Sequence, residues 1–287
     1  MRRCLFLCTA VWVALLTVSG PSEASDPPEI EAGFRLLYEL RFGEARAQFR
    51  VWQEAHPEDA QAQAFEAASY LFEEFNQQGV LTSDFFLNDK RLLGGIEGRP
   101  DAKREKEFLA ANMRAQALAK RQLQMSPQNP DALFVLAITT GMLADYSGLI
   151  KKQHLETLKR VREAEAYAKN LLAVKPDSHD AYLTLGAANY IIGSLPGYKR
   201  FFLRFGGIHG DRRRGMMQLQ MAAMHGHYLR PFAKILLALV ALREKQEALA
   251  RTLLGELVGE FPQNRLFASE LDKLSRSLAS APTSPQP

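Results

Sequence analysis

Cysteine is nearly absent: the 287-residue chain has two, Cys4 and Cys8, both within its first eight residues. Without that end, the chain has no disulfide and no thiolate metal ligand to stabilise it, so packing must do so. Strand signals are missing too, because no alternating runs of Val, Ile or Thr are closed by Asn-Gly turns, which excludes a sheet protein. Long apolar runs are lacking: the run from Cys4 to Leu16 falls short of the roughly 20 residues that a bilayer span requires, and no later stretch is expected to come closer. Signatures of catalysis and nucleotide binding are absent as well, with no GxSxG, HExxH, GxGxxG or GxxxxGK[ST]. Glu73 with Glu74, and Glu163 with Glu165, read as solvated faces or intrahelical ion pairs, for example Glu163 with Lys159, so the chain is not read as an enzyme.

What is present begins with the N-terminus. Arg2 and Arg3 precede the apolar run, and Ser22-Glu23-Ala24 follows with small residues at its first and third places. This reads as a secretory signal peptide over residues 1–24, so the expected location is the periplasm or cell envelope. No cysteine follows the apolar run where lipid attachment would need one. The formal charge is +4, from 36 Lys and Arg against 32 Asp and Glu, and loss of Arg2, Arg3 and Glu23 leaves +3. A balance that close to neutral names no partner and, with export, argues against nucleic acid. Residues 25–279 form the expected folded domain, and the Pro/Ser-rich 280–287 reads as a tail.

Helical spacing predicts helices over 28–40, 44–56, 59–77, 101–125, 131–146, 152–174, 179–193, 211–224, 229–244, 246–260 and 264–278. A recurring turn separates them: His56-Pro57-Glu58-Asp59, Ser126-Pro127-Gln128-Asn129, Lys175-Pro176-Asp177-Ser178-His179-Asp180 and Phe261-Pro262-Gln263-Asn264. Each proline stops a helix, and each following Asp, Asn or Ser is placed to cap the next one.

Small residues fall at fixed distances before these prolines. Gly33, Ala45 and Phe49 precede Pro57; Ala238, Ala250 and Leu254 precede Pro262; Ala164 precedes Pro176; and Ala137 and Gly186 occupy the matching place in first helices. In this spacing the chain resembles the tetratricopeptide repeat (TPR) family. The resemblance implies an all-α solenoid of about five antiparallel helical hairpins, packed closely where the small residues sit, with two inserted loops. It also implies a concave groove lined by first helices, with Phe34, Tyr38, Phe134, Ile138, Leu183, Tyr190 and Leu239 facing a protein or peptide partner.

The insertions echo one another, Gly94-Gly95-Ile96-Glu97-Gly98 being repeated as Gly206-Gly207-Ile208-His209-Gly210. The glycines read as hairpin corners in preference to a phosphate cradle. Ahead of them lie Phe85, Phe86, Lys90 and Arg91 in the first insertion, and Tyr198, Lys199, Arg200, Phe201, Phe202 and Arg204 in the second, a candidate contact face. Such a mixture suits a flap with buried rings and outward cations, the preferred reading, or a segment lying on a membrane surface. His209, Asp211, Met216, Met217, Met221, Met224, His225 and His227 offer soft ligands for copper, but Met217, Met221 and Met224 recur at the spacing of a buried helix stripe, and no metal or other cofactor is expected. The expected function is therefore a scaffold or adaptor for a protein partner, with a peripheral membrane or lipid-binding protein as the alternative and a metal-handling protein as a remote one.

Overall fold

The computed structural model describes residues 27–198, 200, 201 and 207–280, the side chains of 277–280 excepted. The expected signal peptide and residues 281–287 of the tail lie outside the described residues. Among those described there are thirteen α-helices and no strand. Five antiparallel hairpins follow one another. The first is α1 (Pro28–Tyr38) with α2 (Phe42–Ala55), and the second α3 (Ala60–Gln77) with α6 (Ala102–Met125). The third is α7 (Pro130–Asp145) with α8 (His154–Val174), the fourth α9 (Ala181–Ser194) with α10 (Arg212–His225), and the fifth α11 (Arg230–Arg243) with α12 (Glu247–Glu260). The helix α13 (Arg265–Ser280) closes the stack.

Local chemistry sets the starts. Asp59 accepts from the Gln61 amide at 2.7 Å, Asn129 from Ala132 at 3.0 Å with Pro130 in the first helical position, and Asn264 from Leu266 at 2.9 Å. These are three of the caps expected from the proline turns, each supplying an acceptor to an amide that the helix itself leaves unpaired. The small residues also do what close approach requires. Ala45, Ala137, Ala164, Ala238 and Ala250 are all buried. At Gly186 a Cβ would stand 2.8 Å from the Leu219 backbone nitrogen, so α9 and α10 could not pack as they do around any larger residue.

The first insertion contains two short helices that helical periodicity does not reveal, α4 (Ser83–Leu87) and α5 (Asp89–Gly94). A π-helical turn, Tyr146–Ile150, continues α7 and receives the end of this insertion through a 2.8 Å bond from the Ile96 amide to the Leu149 carbonyl. Gly95 has φ of +72° with the Leu149 carbonyl against it, a conformation and a spacing that only glycine fits. Gly207 repeats the positive φ, at +71°. Both GGIxG corners therefore use glycine for backbone geometry.

The stretch Pro130–Ile150 is long and apolar enough to cross a membrane, contrary to the sequence expectation that no later segment would be. Two-thirds of it is buried inside the fold, so its length and apolarity are accounted for by a core helix of the third hairpin.

Candidate functional site

The first-helix positions proposed from the sequence do not line an open groove. Phe34, Tyr38, Phe134, Leu183, Tyr190 and Leu239 are buried, and Ile138 is half-buried. What fills the concavity is the protein itself. Tyr228, from the turn between α10 and α11, stacks on Phe34 with ring centroids 5.1 Å apart and also meets Phe65 at 5.1 Å and Phe134 at 6.0 Å. Phe65 in turn lies 4.5 Å from Phe34 and 5.8 Å from Phe49. Edge and tilted contacts of this kind add to the burial of large apolar rings.

Polar bonds then join the two ends of the stack. The Tyr38 hydroxyl donates to the Tyr228 carbonyl at 3.0 Å, and the Asn264 side-chain amide donates to the Tyr38 carbonyl at 2.7 Å. Hairpin 1 thus meets hairpin 5 and α13. Burial, reinforced by the Asp180 carboxylate, pushes the Tyr38 phenol far above its ordinary range, which leaves it a hydrogen-bond donor at every physiological pH. A residual cavity of about 40 Å³ among Leu37, Tyr38, Phe72, Phe232, Ile235 and Phe267 has an almost wholly apolar lining, and it holds too little space for a peptide side chain. Six of the seven groove positions are core residues here and Ile138 packs against them half-buried, because the spacing that identifies an inward face does not say whether another part of the chain occupies it.

Asp180 explains how Tyr228 is held. Expected as a helix cap, it makes no capping bond to α9. Its carboxylate instead accepts from the backbone amides of His227 at 2.8 Å, Tyr228 at 3.0 Å and Leu229 at 3.2 Å. Burial raises its pKa, and these three amides oppose that rise.

The first insertion is a strap drawn across to the C-terminal helices. Phe85 is fully buried with the Arg91 guanidinium 5.5 Å from its ring centre, and Phe86 is half-buried. The Ser83 hydroxyl and amide both donate to Glu270, Lys273 reaches Asp84 at 2.9 Å, and Arg243 binds the Phe86 carbonyl at 2.5 Å and pairs with Asp89. Phe85 therefore belongs to the core and is removed from the contact face. Lys90 remains exposed.

The second insertion differs. Tyr198 is 65% exposed and Phe201 58%, against the expectation of a flap with buried rings, and Arg200 is exposed with its guanidinium donating to the Gly193 carbonyl at 3.2 Å. Lys199, Phe202 and Arg204 lie outside the described residues. On α10 the methionine stripe is likewise turned outward, Met217 being 52% and Met224 61% exposed with Met221 exposed between them. The reason is that α10 packs through its small face, Gly215, Leu219, Ala222 and Ala223, against α9 and α11. Periodicity locates the stripe; the short residues beside it decide which stripe is buried. His179 and His225 have ring centroids 5.2 Å apart, and no group of three His, Cys, Asp or Glu side chains converges among the described residues.

Of the two acidic pairs, Glu163 and Glu165 make the intrahelical ion pairs expected of them, whereas Glu73 and Glu74 are engaged between helices. Arg46 binds Glu73 at 2.7 Å, Arg104 binds the buried Glu74, and Arg50 binds the buried Glu66 at 2.7 Å. They latch α2 and α6 to α3, which corrects the reading of Glu73 and Glu74 as a solvated face or intrahelical pair. Glu163 pairs with Arg160 at 3.8 Å in place of Lys159. Asp145, at the end of α7, is exposed, so solvent screens the upward push that desolvation gives its carboxyl.

The architecture thus defines an all-α, solenoid-like protein of stacked, TPR-like hairpins. No family model matches the chain, and no curated protein matches it. Among solved structures it is similar to a thermophilic TPR protein of Thermus thermophilus, with a TM-score of 0.47 and 13% identity, over 86% of this chain and 97% of that one.

Proposed function

We propose that this is an exported, envelope-associated scaffold that binds a protein partner, and that the contact is made by the outer face of α10 in place of the concave surface. The observation carrying this reading is the methionine stripe Met217, Met221 and Met224, held out to solvent by a helix whose opposite face is fully packed. Thioether side chains are unbranched and polarizable, so a row of them adapts to an apolar helix or an extended peptide without a preformed pocket. Exposed apolar residues aligned on one face mark interaction sites more often than singly scattered ones do. Export rests on the signal-peptide pattern of residues 1–24. A binding role in preference to catalysis is supported by the carboxylates on α3, which are tied to arginines as structural latches.

The test places a photo-crosslinking residue at Gln220, which is exposed between Met217 and Met221, and at Met113, an exposed position on α6. In the native envelope fraction a discrete adduct is expected from position 220 and none from 113, and Met217→Ser with Met224→Ser should abolish it. Adducts of equal yield at both positions, or an adduct indifferent to the methionine substitutions, would contradict the assignment.

A further inference from the structure

We infer that His179, His225 and Met221 form a binding site for one copper(I) ion at the open end of the fourth hairpin. The two imidazoles are the first observation. His179 lies just before α9 and His225 ends α10, and their ring centres stand 5.2 Å apart. A metal ion about 2.0–2.1 Å from one nitrogen of each ring lies about 3.2 Å from each ring centre, and at a tetrahedral angle the two centres are then about 5 Å apart. Among the described residues neither ring makes a hydrogen bond or an ion pair, so their nitrogens are free to ligate. His225 is exposed and His179 half-buried, which leaves the site open to an incoming ion.

The backbone beneath the two histidines is fixed. Asp180, next to His179, holds the amides of His227, Tyr228 and Leu229, and so ties the chain before α9 to the turn after α10. At Gly226, beside His225, a Cβ would stand 2.6 Å from Asp180 Oδ1, so this approach requires glycine. The His179 amide donates to the Asp177 carbonyl at 2.8 Å, and its carbonyl accepts from the Tyr182 amide at 3.1 Å. Ligands carried on backbone that is already ordered bind an ion without the cost of ordering it.

The third donor decides the metal. Burial of the methionine stripe would have kept its sulfurs from any ion, and the fold leaves that stripe outside. Met221 stands one turn before His225 on the same face of α10, with Cβ atoms about 5–6 Å apart, and it is the least exposed of the three methionines. Met224 is turned about 100° round the helix from His225. No Asp, Glu or Cys joins the two rings among the described residues, so zinc and the harder divalent ions lack a third ligand of the kind they prefer. A thioether is a soft donor that selects copper(I). Two neutral imidazoles and a neutral thioether also suit a monovalent ion, which leaves only one positive charge at the site. The site needs neither export nor the protein contact, and of the methionine stripe it takes Met221 alone.

The experiment is an anaerobic titration of the chain from Ser25 onward with copper(I) held by the chromophoric chelator bicinchoninate. That chain contains every described helix and neither cysteine, so no thiolate competes. One copper(I) per chain is expected to leave the chelator, and X-ray absorption should show one sulfur and two nitrogen ligands. His225→Ala and Met221→Leu should each weaken binding by about tenfold or more, the usual cost of disturbing even a ligand's supporting bond. His179→Gln should do the same, whereas Met217→Ser with Met224→Ser should leave the affinity unchanged. Met221 and His225 are exposed, and an unchanged helical circular dichroism spectrum verifies the folding of every variant. Absence of transfer from the chelator, displacement of the copper by equimolar zinc(II), indifference to the His225 or Met221 substitution, or a sulfur ligand that survives Met221→Leu would overturn the proposal. The titration involves no partner, so its failure and the failure of the crosslinking at position 220 are separate results.

Discussion

Phe65→Ala should lower the free energy of unfolding by about 3–5 kcal/mol, the usual cost of removing a large ring from a tightly packed interior. Phe65 is 1% exposed and touches Phe34, Phe49, Phe134 and Tyr228, which come from hairpins 1 and 3 and from the turn between hairpins 4 and 5. In an open solenoid an inward-facing phenylalanine would stand half in water, and truncating it would cost far less. Chemical denaturation followed by circular dichroism measures the difference. A loss below about 1 kcal/mol would mean that the ring is not enclosed, since substitutions at exposed sites usually fall within about half a kilocalorie. A change of this size is a large fraction of the roughly 5–15 kcal/mol by which ordinary domains are stable, so the variant should also lose cooperativity between its hairpins.

Asp180→Ala should cost roughly 3 kcal/mol, because three backbone amides of the 227–229 turn lose their acceptor and each buried amide left unpaired costs about 1–3 kcal/mol, less where water can enter. Asp180→Asn should recover part of this, since a neutral amide oxygen still accepts while its nitrogen faces an amide donor. The distinguishing readout is local: hydrogen exchange at residues 226–230 should accelerate in the alanine variant before exchange elsewhere does. If Asp180 served only as the first-turn cap that its position suggests, exchange would rise in α9, and the 226–230 turn would be untouched.

Much of this architecture was legible because it depends on local rules. Proline stops, Asp and Asn caps and small residues at crossing points are each written within a few positions of where they act, so the hairpins and most of their boundaries follow from the chain directly. The two short helices of the first insertion were not legible, since five or six residues present no periodicity to detect. The inward direction of Phe34, Tyr38 and Phe134 was readable, but their enclosure was not. It depends on Tyr228, 190 residues after Tyr38, and on an aspartate that forgoes its own helix to hold that tyrosine's turn. The same limit governs the candidate contact faces. Phe85 and Phe201 sit in matching insertions of similar composition, yet one is core and the other is 58% exposed. The difference is that Ser83, Asp84 and Asp89 meet Glu270, Lys273 and Arg243 across the stack, partners distant in sequence. For the methionines the spacing marks a stripe without saying which way it faces. Gly215, Leu219, Ala222 and Ala223 form a stripe suited to close helix contact, and the face bearing Met217, Met221 and Met224 is the one left over.

The closed interior is tested most directly by the distance between α1 and α13. In the chain from Ser25 onward, spin labels on cysteines introduced at the exposed positions Arg35 and Arg265 report it without interference, because both native cysteines, Cys4 and Cys8, lie before Ser25. The account predicts one short, narrow distance distribution, maintained by the bond from Asn264 to the Tyr38 carbonyl and broadened when Phe65 is replaced by alanine. A long or broad distribution in the unaltered protein would contradict it, and would return the first-helix faces to the solvent as an open groove.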